Sequence, residues 1–110
     1  MAEFEYGDIF LVDFDPSVGH EYQKIRPAIV VQSNQSLKNS SLVTIVAITS
    51  NPKHGIPIGK TGRNGLYKDS AAKVNCITSF DRIRLLKKIG IAEKGVMQEI
   101  SKDLKLHLGL

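Results

Sequence analysis

The chain has 110 residues, 15 of them basic against 11 acidic, for a formal net charge of +4 and a sequence pI of about 9.3. That length suits one domain around one modest core, and ordinary apolar and charged fractions exclude a wholly disordered chain. A lone cysteine, Cys76, excludes an internal disulfide and points to a reducing compartment, and no run approaches the ~20 apolar residues of a membrane helix.

Residues 1–6 read as a short tail; their two glutamates are unlike a signal peptide, so a cytoplasmic location is expected. Residues 7–14 read as a strand, a turn-type start followed by β-branched and aromatic residues. Pro16 and Gly19 punctuate a turn, and a polar loop runs on through Ile25. Residues 27–32 read as the second strand. Its run Ala28-Ile29-Val30-Val31 is apolar and mostly β-branched, so it should be packed on both faces. Pro27 holds Arg26 out of the α region, which sets an extended arginine at the mouth of that strand, the geometry of an anion-binding group. Residues 33–41 are polar and suit a loop or one helical turn.

Residues 42–49 carry the strongest strand signal, and Asn51-Pro52 ends it. Residues 53–68 are rich in glycine and basic side chains. A short strand over 56–58 is expected at a sheet edge because Pro57 cannot donate to a ladder, and the rest reads as mobile loop. Residues 69–78 read as another strand, 79–84 as a turn into a further short strand. Residues 84–91 have a composition that suits a helix, which Gly90 would end early. Over residues 93–108, Val96, Ile100, Leu104 and Leu108 recur every four positions, one face of an amphipathic helix. Glu93 near its start and Lys102, Lys105 and His107 toward its end suit the helix dipole. Several short strands and one terminal helix describe a mainly β single domain over residues 1–110, a small twisted barrel or half-barrel plugged by a helix.

Three blocks in order resemble the MazF/PemK/Kid family of toxin endoribonucleases. The first is Gly7-Asp8-Ile9-Phe10-Leu11-Val12-Asp13-Phe14-Asp15-Pro16 followed by Val18-Gly19-His20-Glu21. The second is Lys24 with Arg26-Pro27-Ala28-Ile29-Val30-Val31, and the third runs from Val43 into Ile48-Thr49-Ser50. A weaker fourth block keeps Ser70, Asp81 and Arg84-Leu85. The resemblance implies an SH3-like barrel with a C-terminal helix and a cytoplasmic homodimer. It also implies metal-independent, cofactor-free cleavage of single-stranded RNA at short sequences, and neutralisation by an acidic antitoxin. DNA binding is expected only through the antitoxin complex. The family's catalytic arginine falls on Arg26 and its catalytic serine or threonine on Thr49. His20 matches a loop histidine of Kid-like members, and Glu21 and Lys24 match positions flanking the site. Some members carry an arginine and an aspartate where this chain has Lys73 and Asn75, and many a glutamine and an arginine where it has Cys76 and Thr78. Asn75 cannot take a proton, so a mechanism needing an aspartate there does not transfer.

The chemistry this implies has three requirements: removing the proton of an RNA 2′-OH, stabilising charge on the phosphoryl oxygens, and releasing the 5′ oxygen. A guanidinium forks onto two phosphoryl oxygens and stays charged, so Arg26 suits charge stabilisation before proton transfer. Thr49 supplies a hydroxyl, and His20 a base with an unperturbed pKa of about 6.5. The basic excess and Tyr22, Gln23, Lys24, Lys53, Lys73 and Asn75 are the expected RNA contacts, with Tyr22 and Tyr67 as stacking platforms. The competing reading is the same barrel binding nucleic acid or protein without cutting, as a topoisomerase-poisoning or inactive toxin would. The residue spacing suggests no metal site.

Overall fold

The computed structural model describes residues 3–15 and 24–110. Six strands form one antiparallel sheet: β1 (Asp8–Asp13), β2 (Ile25–Val30), β3 (Leu42–Thr49), β4 (Ile56–Ile58), β5 (Ser70–Asp81) and β6 (Leu85–Ile91). Their order across the sheet is β4-β5-β3-β2-β1-β6. A one-turn helix α1 (Asn34–Leu37) precedes β3, a 3-10 turn (Arg82–Arg84) precedes β6, and the helix α2 (Lys94–Leu108) closes the chain. The mainly β architecture with a C-terminal helix is the one expected.

Both faces of the sheet are buried, and the period of two decides which side chain goes where. Phe10, Val12, Ala28, Val30, Val43, Ile45 and Ala47 join Phe4 and Leu37 on one face. Ile9, Ile29, Val46, Ile48, Ile58 and Ala72 pack on the other, against Met97 and Ile100 of α2. The apolar stripe of α2 is thus packed as its spacing predicts at Ile100, with Val96 and Leu104 half-buried, but Leu108 is exposed, because the helix runs past the sheet at its end. Gly109, in the left-handed region at φ 73, caps it by donating its N–H to Leu106 O.

The sheet's free edges, β4 and β6, are bridged by residues 59–69 rather than by each other. Ile91 N–H donates to Arg63 O at 2.9 Å. Gly90 lies so close to this loop that a Cβ would sit 2.3 Å from Arg63 O, a close approach that only glycine permits. The loop is built on Asn64, which is 0% exposed. Its Oδ1 accepts the N–H groups of Thr61 and Leu66, each at 3.0 Å, and its Nδ2 donates to Gly59 O at 2.8 Å. The expectation of a mobile loop is corrected at this point: the segment is a hydrogen-bonded closure.

Two further expectations change. Of residues 84–91, expected as a helix, 85–91 form a strand, because the open edge of β1 offers a ladder from Asp8–Ile91 to Val12–Leu85, and pairing overrides the propensity of Leu and Lys. Residues 79–81 belong to β5 rather than to a turn. That strand runs 12 residues because a bulge breaks it: Val46 faces Ile77, yet the next residue, Ala47, faces Lys73. Val74, Asn75 and Cys76 are left over as the bulge. Val74 packs on the α2 side and Cys76 against the opposite cluster, the core thiol expected, while Asn75 is exposed.

Candidate functional site

Arg26 lies inside β2, not ahead of it, because the two neighbours of β2 end at different places. On one side the β1 ladder continues through Val12–Arg26 to Asp13–Ile25. On the other the β3 ladder stops at Ala28–Ala47. Parity explains the difference. Lys24 O accepts Phe14 N–H at 2.9 Å and Val31 N–H donates to Thr44 O at 3.0 Å, so even residues of β2 address β1 and odd ones address β3. Pro27 is odd, and its missing N–H removes the next rung toward β3. Counting outward two residues on each strand from the Ala28–Ala47 pair brings Arg26 across from Thr49. The β2–β3 ladder therefore ends two residues short of that counted pair.

A cleft of about 370 Å³ opens there, lined by Lys24, Arg26, Pro27, Ile48, Ser50 and the Leu66-Tyr67 end of the closing loop. Among the described residues its charged lining is cationic, Lys24 and Arg26. Tyr67 is 79% exposed at the rim, so its ring stands out as a stacking surface rather than packing under its own loop. Thr49 is half-buried, and its Oγ1 accepts Asn51 N–H at 3.3 Å. That bond fixes the hydroxyl at the strand end while leaving its O–H to donate outward. Ser70, also in the lining, is buried, and its hydroxyl donates to Lys68 O at 2.9 Å. Asp81 ends β5 and accepts Ile83 N–H at 3.1 Å, a cap on the 3-10 turn.

Lys24 carries backbone strain. Among the described residues it is the non-glycine one with positive φ, 64°, a conformation that costs an L-residue roughly 1–2 kcal/mol. It is held there from two directions: its N–H donates to Asp15 Oδ1 at 2.8 Å, and its carbonyl accepts Phe14 N–H.

The expected RNA contacts do not all converge. Lys24 and Arg26 gather at the cleft with Ile48 and Ser50 of the β3 end, whereas Thr49, between those two, is not among its lining residues. Lys73 and Asn75 line a separate hollow of about 470 Å³ between the β5 bulge and α2, with His54, Asp103 and His107. Lys53 is exposed in the turn after β3, where its N–H donates to Asn51 Oδ1 at 3.0 Å. His20, Glu21, Tyr22 and Gln23 lie outside the described residues. Asn64 and Leu66 were not anticipated as site-forming residues. The signal for them was Asn64-Gly65, a turn dipeptide inside the basic loop. Among the described residues, no group of three or more His, Cys, Asp or Glu side chains is placed to hold a metal ion. No described helix is long and apolar enough to cross a membrane.

Comparison with known proteins agrees with this architecture. Residues 5–108 match the family described as PemK-like, MazF-like toxin of type II toxin-antitoxin system. The chain is 32% identical over 112 residues to endoribonuclease MazF9 of Mycobacterium tuberculosis, covering 94% of this chain and 95% of that one. In three dimensions it is similar to MazF from Deinococcus radiodurans, with a TM-score of 0.79 at 23% identity, covering 96% of each chain. It is also similar to a mycobacterial endoribonuclease solved in complex with its cognate antitoxin. There the TM-score is 0.74 at 17% identity, over 100% of this chain and 97% of that one.

Proposed function

The chain belongs to the PemK-like, MazF-like toxin family of type II toxin–antitoxin systems, and from that premise we propose that it is a cytoplasmic, sequence-specific endoribonuclease toxin. Its substrate is single-stranded RNA, and it works as a homodimer restrained by a cognate acidic antitoxin. The observation that supports the reading is Arg26 in a cleft whose described charged lining is cationic, beside Pro27, where the β2–β3 ladder has ended.

In the reaction, the 2′-OH of the substrate loses its proton and its oxygen bonds to the adjacent phosphorus. The bond from phosphorus to the 5′ oxygen breaks, and a proton goes to that oxygen. The products are a 2′,3′-cyclic phosphate and a 5′-OH. Arg26 opposes the charge that grows on the phosphoryl oxygens, and its planar fork matches two of them. Thr49 donates its hydroxyl to one of these oxygens, and His20 takes the 2′ proton. Lys24 binds a flanking phosphate as a point charge, and Tyr67 offers a ring for an unstacked base. Lys53, Lys73 and Asn75, outside the cleft, extend the RNA path along the surface, and Glu21, Tyr22 and Gln23 are further RNA contacts.

The test is incubation with a long single-stranded RNA in excess chelator, with sequencing and end analysis of the products. Cyclic phosphate ends at a short recurrent sequence are expected. Arg26→Ala should lower the rate by about 10²–10³, the usual worth of one placed donor to developing charge. Intact RNA, or cleavage undiminished by Arg26→Ala, would overturn the proposal in favour of a barrel that binds without cutting.

A further inference from the structure

Arg84 stands outside the cleft, at the end of the 3-10 turn that leads into β6. Its guanidinium reaches the far end of β1 through Nη1. Nη1 donates to Asp13 O at 3.1 Å and to Asp15 O. The plane lies over the Phe80 ring, 5.6 Å from its centroid, and Phe80 meets Phe14 edge-on at 5.3 Å and 89°. Residues 13, 14 and 15 are therefore gripped together, two through their carbonyls and one through its ring.

The same three residues hold Lys24. Asp13 Oδ1 accepts Asp15 N–H at 3.0 Å, which orients Asp15 so that its own Oδ1 accepts Lys24 N–H at 2.8 Å. Phe14 N–H donates to Lys24 O at 2.9 Å. Both polar backbone groups of Lys24 are thus set by a segment that Arg84 fixes, and they set it in a strained conformation that a free chain would leave. Arg26 follows two residues on, along a strand that is paired only with β1 at this point.

We infer that Arg84 is a positioning residue for the cleft. Through the Asp13–Asp15 segment and Lys24 it fixes the direction in which Arg26 meets the substrate. The inference rests on the ribonuclease reading for its effect on rate, and on the hydrogen-bonded chain alone for its effect on Lys24. A side chain that acts only through Arg26 has a signature that a general structural role lacks. Its removal changes nothing once Arg26 is gone.

The experiment is a double-mutant cycle of Arg84→Gln and Arg26→Ala in single-turnover cleavage, at a temperature where circular dichroism shows every variant folded. Arg84→Lys serves as the milder variant, because an ammonium keeps the charge but cannot stack on Phe80 and bridge two carbonyls. Arg84→Gln should slow cleavage roughly 10- to 100-fold, the scale of a misplaced reacting group, with RNA affinity changed less than about 3-fold. In the Arg26→Ala background it should cause no further loss. Rates that multiply instead would make Arg84 an independent contributor and overturn the inference. Amide hydrogen exchange gives the second readout. Lys24 protection should fall at least about 10-fold in Arg84→Gln while β3 amides keep theirs, and unchanged Lys24 protection would also overturn it. If the unmutated protein cuts no RNA, the ribonuclease reading fails, and the exchange measurement still decides whether Arg84 sets Lys24.

Discussion

Replacing Asn64 tests whether the closing loop is a structural part of the site. Its side chain satisfies three backbone groups, Thr61 N–H, Leu66 N–H and Gly59 O. Asn64→Ala removes all three partners at once. Leu66 N–H is buried and has no route to water, so its loss costs about 1–3 kcal/mol. Thr61 and Gly59 are exposed, and water recovers part of their bonding, leaving about 0.5–1 kcal/mol each. The sum is roughly 2–5 kcal/mol, a large share of the 5–15 kcal/mol typical of a domain. In urea melts, with a slope of about 1–3 kcal/mol/M for a small protein, the midpoint should fall by roughly 1–3 M. Asn75→Ala, on the exposed bulge, is the control and should move stability by less than about 0.5 kcal/mol. Because Leu66 and Tyr67 line the cleft, RNA affinity of Asn64→Ala should also drop under conditions where the protein is still folded. A stability loss below about 1 kcal/mol with unchanged affinity would refute the reasoning.

Glycine positions give a paired test of the same closure. Gly90→Ala should destabilise by about 2 kcal/mol or more, since its Cβ would meet Arg63 O and the Asn64 carbonyl carbon, each at 2.3 Å. Gly62→Ala, with nothing within 4 Å of the added Cβ, should be neutral or stabilising by about 0.4–1 kcal/mol; equal thermal midpoints for the two would contradict the packing described. At Lys24, glycine should be more stable than alanine by about 1 kcal/mol because φ is 64°. Both substitutions should lower the slope of log affinity against log salt for single-stranded RNA by about 0.7. An unaltered salt slope would remove Lys24 from the phosphate contacts.

The elements that read most clearly in the sequence are those whose local signal and tertiary role agree. The four-residue period of Val96, Ile100 and Leu104 is the buried stripe of α2, and Ala28–Val30 are buried on alternate faces as β-branched runs should be. Arg26-Pro27 was legible as a special join, but the parity that turns Pro27 toward β3 depends on which neighbour lies on which side, and that is a property of the sheet. Residues 84–91 misled for a related reason. Leucine and lysine suit a helix alone, and only the open edge of β1 makes them a strand. The closing loop was hidden because its stability comes from one buried amide and a glycine 26 residues later in the chain, Gly90. The bulge at Asn75 cannot be seen in one strand at all, since it is a mismatch between two.

The sheet order places the first strand made beside the last. Until residues 85–91 have been synthesised, one edge of β1 has no neighbour, the guanidinium of Arg84 has not reached Asp13 and Asp15, and the closing loop has no Ile91 on which to dock. On the ribosome, where chains emerge N-terminus first, the surroundings of Arg26 are thus completed only after β6 has emerged, long after Arg26 itself.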